Sequence, residues 1–241
     1  MSKIKKIIVF DLDETLGYFT ELGIIQDAII SYTKNKRLIN NQVFFNNLFN
    51  LFPFYLRPKI SEILKYVIKE KNNKNIDKII IYTNNQGPKT WVKMIQKYIE
   101  THITKNKTFN QIIHAYEVNG VRVEKFRTSH MKKYSDLVKC SKLDYDVEVF
   151  FIDDSEHKHM INDNVYYFQI HPYKFSYNIN EITDKIYSSD IIKINESKED
   201  FKIFMDNFFK LYNHKHCEKT NEDYNIDKIV SKHLLSCLKE F

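Results

Sequence analysis

The chain reads as an α/β protein built on a mostly parallel central sheet flanked by helices. Three observations carry that reading. Short runs rich in Ile, Val, Phe and Tyr recur at 4–10 (IKKIIVF), 78–82 (KIIIY), 147–152 (VEVFFI) and 164–170 (NVYYFQI). Strands apolar on both faces belong inside a parallel sheet. Between them lie stretches with apolar residues every three or four positions, the helical crossovers that parallel strands need. Acids or amides come directly after three of these runs, at the strand ends where such sheets hold ligands.

Each element has its own reason. Residues 22–50 mix apolar and polar side chains without clean alternation and read as helical, and Pro53 and Pro58 punctuate the next stretch of chain. From Lys59 to about Glu70, the residues Ile60, Ile63, Leu64, Val67 and Ile68 make one apolar helical face. Pro88 opens a further helix whose apolar face is Trp91, Val92, Ile95, Tyr98 and Ile99. Residues 111–123 read as two strands around an Asn119-Gly120 turn. A helix is expected over 129–139, and three more near 179–187, 198–213 and 223–239. The chain thus divides into a domain over 1–190, with a small insertion at 18–56, and a helical C-terminal extension over 191–241 packing on or beside the core.

Composition excludes several classes. At 43% hydrophobic residues over 241 positions there is enough apolar material for a core, which excludes intrinsic disorder. No apolar run approaches the ~20 residues of a membrane span, so no membrane partner is expected. Cys140, Cys217 and Cys237 are scattered, which excludes a disulfide scaffold and a paired-cysteine zinc site. The start, MSKIKKIIVFDLDE, reads as a strand and not a signal peptide, so an intracellular location, cytoplasmic or nuclear, is expected. The net charge of +6 suits phosphate-bearing partners, but the charge is dispersed and not gathered in a patch.

The chemistry gathers at the strand ends. The first strand runs into Phe10-Asp11-Leu12-Asp13-Glu14-Thr15-Leu16. In extended chain Asp11 and Asp13 point to one side. Two carboxylates held close repel, so the pair points to a metal site or acid–base chemistry, or else to two solvated acids in a loop. The run at 147–152 ends in a second pair, Asp153-Asp154. Four carboxylates at one sheet edge call for a hard cation, and Mg²⁺ fits best where phosphate completes its shell. The run at 78–82 ends in Thr83-Asn84-Asn85, a hydroxyl and amides suited to phosphate oxygens. The stretch 125–133 supplies cations, with Lys125, Lys132 and Lys133 as rivals for the same place.

In this order, FDLDETL, IIIYTNN, a lysine and FFIDDS resemble the four motifs of the haloacid dehalogenase (HAD) superfamily over about residues 4–170. The resemblance implies a Rossmann-like HAD fold with small insertions in place of a large cap. Within it, DLDETL, Leu56-Arg57-Pro58, RTSHMKKYSDL and Asp153-Asp154 resemble the FCP/SCP-type carboxy-terminal-domain phosphatases. Lys59 stands in place of that group's glycine, Lys132 is not followed by Asp-Leu-Ser, and Glu156 stands where proline is frequent.

The resemblance implies a Mg²⁺-dependent phosphomonoesterase acting on phosphoserine or phosphothreonine in a protein. Asp11 is its nucleophile, Asp13 its acid and base, and Thr83 and Lys132 hold the transferring oxygens. Thr15, Asn84, Arg57 and Lys133 bind substrate or brace the loop. Asp11, Asp13, Asp153 and Asp154 form the metal site. Asn84-Asn85-Gln86-Gly87 also resembles a segment of small-molecule and polynucleotide 3′-phosphatases, so a nucleic-acid end is a second possible substrate. A non-catalytic phosphopeptide-binding module is the third reading. The insertion at 18–56 is too short for a full lid, so the cleft is expected to stay open and to favour phosphopeptides over nucleotides and sugar phosphates.

Overall fold

The computed structural model describes residues 4–143 and 146–241. Its centre is a five-stranded sheet in which each neighbouring pair is parallel, in the order β3-β2-β1-β6-β7, and the architecture is Rossmann-like. The strands are β1 (Lys6–Phe10), β2 (Lys78–Tyr82), β3 (Gln111–Ile113), β6 (Glu148–Asp153) and β7 (Val165–Gln169). A two-stranded antiparallel hairpin, β4 (Glu117–Val118) and β5 (Val121–Arg122), stands apart from the sheet.

β1 is central because every residue from Ile7 to Phe10 is buried. Its side chains alternate between two cores. Ile8 and Phe10 enter the larger one, and Ile7 and Val9 the smaller. The larger core takes its apolar faces from α1 (Thr20–Thr33), α2 (Gln42–Leu51), α3 (Ile60–Asn72) and α4 (Lys89–Tyr98). It also takes them from α6 (Ile179–Tyr187), α7 (Lys198–Leu211) and α8 (Asn221–Glu240). The smaller core lies under α5 (Tyr134–Ser141). The chain runs outward from β1 through β2 and β3, then returns to β6 on the other side of β1. β1 and β6 thus meet where strand order reverses, the point at which open α/β sheets bind ligands.

The structure differs from the sequence reading in two places and bears out the helical reading of 22–50. Residues 111–113 pair with β2 as the parallel edge strand, and the hairpin is confined to 117–122. The helix expected from 129 begins at Tyr134, because Arg127 and Asp136 hold the preceding residues as a loop. The insertion at 18–56 folds as α1 and α2 joined by a 3-10 turn at Lys36–Asn40, and Phe44, Phe45, Leu48 and Phe49 bury α2 in the larger core. Among the described residues, no helix is long and apolar enough to cross a membrane.

The extension shares the main core. Phe201 and Met205 of α7, and Leu234 and Leu238 of α8, are buried in the same cluster as Ile8 and Phe10. Leu234→Ala should therefore lower the unfolding free energy by about 2–5 kcal/mol in one cooperative transition, as urea denaturation would measure. Loss of α8 in a separate, earlier transition would show that the extension folds on its own.

Candidate active site

The parallel register brings the ends of β1 and β6 side by side, with Phe10 opposite Ile152. The backbone N–H of Asp11 donates to the Ile152 carbonyl at 2.8 Å. Leu12 turns into the core, which leaves Asp11 and Asp13 together on the open side. Beyond them the chain turns sharply. Glu14 takes a left-handed conformation (φ 58°), and its N–H donates to the Gly17 carbonyl at 2.7 Å. A Cβ on Gly17 would sit 2.3 Å from the Tyr55 carbonyl oxygen, so only glycine lets the insertion pass this close.

Lys132 is the one lysine of the three rivals that enters the cluster. Its Nζ lies between Asp11 Oδ1 and Asp153 Oδ2, the latter at 2.6 Å, and the side chain is 2% exposed. The rings of Tyr82 and Phe151 lie beneath it, 5.7 and 5.9 Å from Nζ. The loop that carries it is pinned by two buried groups. The Arg127 guanidinium donates to the carbonyls of Thr83, His114 and His130, and buried Asp136 accepts from the Thr128 N–H and hydroxyl. Lys133 instead reaches the Thr128 hydroxyl at 3.0 Å, and Lys125 lies over the Phe126 ring, so neither takes the place the sequence reading left open to it.

Asp153 holds its neighbours with both oxygens. Oδ2 takes Lys132, while Oδ1 accepts from the Ser155 N–H at 3.0 Å and faces His157 Nε2 at 3.2 Å. The His157 side chain is only 13% exposed. Oxygens of Asp11, Asp153 and Asp154 lie within 4.8 Å of one another. Counting Asp13, four carboxylates face one ammonium, a formal excess of three negative charges. Such an all-oxygen, strongly anionic set fits a hard divalent cation. Among the described residues, Asp11 Oδ2 has no hydrogen-bond partner, and the Asp154 carboxylate is bonded only by the Ser155 hydroxyl at 3.2 Å. These two side chains are the best placed to hold a cation.

Asp13 has a dedicated partner that the sequence reading did not single out. Asn85 Nδ2 donates to Asp13 Oδ2 at 2.7 Å, and Asn85 Oδ1 accepts from the Gly87 N–H at 2.9 Å, which fixes the amide's orientation. Thr83, buried at the end of β2, accepts from the Asn85 N–H through its hydroxyl at 3.0 Å and can still donate. The Thr15 hydroxyl is buried without a partner and so does not bond to Asp13.

Two expected phosphate ligands are corrected. Arg57 is 1% exposed, and its guanidinium donates to the carbonyls of Thr15, Glu14 and His171 at 2.6–2.7 Å. It clamps the turn that follows Asp13, and its Nη1 is buried without a hydrogen-bond partner. Asn84 gives its amide oxygen to Arg127 at 2.8 Å, so the amide turned toward the acids belongs to its neighbour, Asn85.

Burial dominates the electrostatics. It pushes Asp11 up to about 8, against the pull of Lys132 and with the push of Asp153. It pushes Asp13 up to about 6, against the Asn85 hydrogen bond and Lys132. Burial also acts to raise Asp153, but Lys132 and His157 outweigh it and hold that carboxyl below its ordinary value. Burial disfavours the Lys132 charge, yet Asp11 and Asp153 more than restore it. In the metal-free cluster Lys132 and Asp153 therefore form the charged pair, and Asp11 is the group that retains a proton.

No family model, no curated protein and no solved structure matches this chain. The resemblance to the haloacid dehalogenase motifs thus rests on the sequence motifs alone.

The pH dependence of stability has a defined sign. Folded metal-free protein keeps a proton on Asp11 up to about 8 and on Asp13 up to about 6, protons that the unfolded chain has released near 3.8. Stability from each group therefore falls as pH rises from 3.8 to its folded value. Mg²⁺ should raise the Tm more at about pH 8 than at about pH 5.5, and the difference should shrink in Asp11→Asn. Thermal melts with and without Mg²⁺ measure it.

Proposed function

We propose that this chain is a Mg²⁺-dependent phosphomonoester hydrolase that works through an aspartyl phosphate on Asp11. The observation that carries the reading is Lys132 buried between Asp11 and Asp153, with Asp13 held beside them by Asn85. Phosphate-monoester hydrolysis is among the slowest uncatalysed reactions, and a covalent intermediate divides it into two easier steps.

In the first step Asp11, ionised once a bound cation offsets the burial that holds its proton, attacks phosphorus through a carboxylate oxygen, the P–O ester bond breaks, and Asp13 gives its proton to the departing alkoxide. In the second, Asp13 takes a proton from water, the water oxygen attacks phosphorus, and the Asp11–phosphorus bond breaks to release phosphate. The same group serves both steps because its pKa, at about 6, lies near neutrality. Lys132 and the Thr83 hydroxyl stabilise charge on the transferring oxygens. Held by Asp11, the Asp13 backbone carbonyl and Asp154, Mg²⁺ would supply positive charge against the phosphoryl group and the crowded carboxylates. Asp153 keeps Lys132 in place, and Arg57 keeps the turn after Asp13 in shape.

A phosphoserine or phosphothreonine in a protein is the substrate that the FCP/SCP resemblance implies, and an open cleft admits it. A smaller phosphomonoester is the second reading, favoured by the apolar cleft that opens beside Asp13. A non-catalytic phosphopeptide binder is disfavoured, because such a module has no use for an acid held at Asp13.

The activity is tested by hydrolysis of p-nitrophenyl phosphate, which should need Mg²⁺ and stop with EDTA. Asp11→Asn should lower kcat at least ~1,000-fold, or ~4 kcal/mol of barrier, with an unchanged circular dichroism spectrum. Turnover near wild type in that variant would exclude the covalent route. Lys132→Ala should lower kcat by ~100–1,000-fold, while Lys133→Ala stays within about threefold. Equal, small losses in the two would remove Lys132 from the mechanism.

A further inference from the structure

A cleft of about 770 Å³ runs from Asp13 and Asn85 between α1, the start of α4 and the link 212–215 that joins α7 to α8. Its size falls in the ~300–1,000 Å³ range of small-molecule sites, and it far exceeds what a phosphoryl group fills. On the proposed mechanism Asp13 protonates the leaving oxygen, so the leaving group lies on this side of the phosphate. The cleft is where that group goes.

Its lining names a chemistry. One wall is Trp91, the sole tryptophan of the chain, together with Phe19, Ile24 and Met94. The indole is fixed in place: Phe45 meets it edge-on at 5.4 Å, and its atoms lie within 3.4–3.7 Å of where Cβ atoms on Gly87 and Gly23 would be. Gln26 also lines the cleft and is 4% exposed. Its Nε2 donates to the Ile39 carbonyl at 3.2 Å, which fixes the amide and leaves Oε1 buried without a donor. The facing wall, Tyr212 to Lys215, is tied down by His214 on buried Glu21 at 2.6 Å and by the Tyr212 hydroxyl on Asp27 at 3.0 Å. Lys215 is the one lysine or arginine among the lining residues, so the cleft has no cationic track for a nucleic-acid strand.

We infer that this cleft is a leaving-group pocket for a nucleoside phosphate, with the planar base against Trp91 and an N–H of the base meeting Gln26. The assignment rests on the proposed phosphatase reading for its position, and it departs from the phosphopeptide preference expected from the sequence. It also gives the extension a part in recognition, because the link between α7 and α8 closes the pocket.

The sole tryptophan lets binding be read without turnover. Full-length Asp11→Asn with Mg²⁺ would be titrated with adenosine 3′- and 5′-monophosphate, adenosine, glycerol phosphate and a phosphoserine peptide, with fluorescence excited at the red edge. The nucleotides and adenosine should change Trp91 emission saturably, glycerol phosphate and the peptide should not, and Gln26→Leu should weaken nucleotide binding ~10-fold. In the wild-type enzyme, kcat/KM for one of the two nucleotides should exceed that for glycerol phosphate and for the peptide at least ~10-fold. Trp91→Phe should raise KM for that nucleotide more than it lowers kcat. A saturable response to the peptide with none to adenosine would overturn the inference and make the pocket a peptide site, and equal kcat/KM for all substrates would overturn it too. Saturable adenosine binding with no hydrolysis of any phosphomonoester would keep the pocket and reject the phosphatase reading instead.

Discussion

The site depends on one buried ammonium. Lys132 is buried between Asp11 and Asp153, and each of these acids would otherwise face the other without it. Breaking a buried pair by removing one partner typically costs about 3–5 kcal/mol, because the remaining charge is left alone. Much of the surrounding structure places this ammonium. Parallel β1 and β6 bring the two carboxylates together, Tyr82 and Phe151 form its floor, and Arg127 and Asp136 fix the loop that carries it. One lysine does not neutralise four acids. The remaining negative charge adds to burial in raising Asp11 and Asp13, and it gives the cluster its fit for a divalent cation.

A second constraint acts on the turn after Asp13. That turn is compact, with a left-handed Glu14 and a glycine pressed against the Tyr55 carbonyl. Arg57 holds it from behind through three backbone carbonyls, within reach because it ends the insertion and leads into α3. The extension supports the same region. Asp227 of α8 is buried near the Arg57 guanidinium and pairs with Lys219 at 2.5 Å, and Lys219 lies over the Tyr173 ring that also faces Arg57. Residues more than 200 positions from Asp11 therefore contribute to the shape of its loop.

What can be read from the sequence is local. Four of the five sheet strands announce themselves as apolar runs, and the acids that end β1 and β6 are adjacent in sequence to the strands that position them. The edge strand β3 is hidden because three residues carry little pattern and the Asn119-Gly120 turn draws the whole segment into a hairpin. The motif resemblance assigns Arg57 to phosphate, and residue type assigns Asn84 there, but neither gives direction. The guanidinium turns to backbone carbonyls, and of two neighbouring amides it is Asn85 that faces Asp13. Arg127, His157 and the Glu21–His214 pair are out of reach for a related reason. Their partners lie far along the chain or depend on a loop conformation, and no periodicity records such contacts.

The central claim is that Asp11 becomes covalently phosphorylated. Rapid acid quench of the full-length protein during turnover of a phosphomonoester, followed by peptide mass spectrometry, measures it directly. The account predicts a phosphoryl adduct on the peptide containing Asp11 that needs Mg²⁺ and is absent from Asp11→Asn. Sustained Mg²⁺-dependent turnover in Asp11→Asn, or an adduct on a different residue, would contradict it.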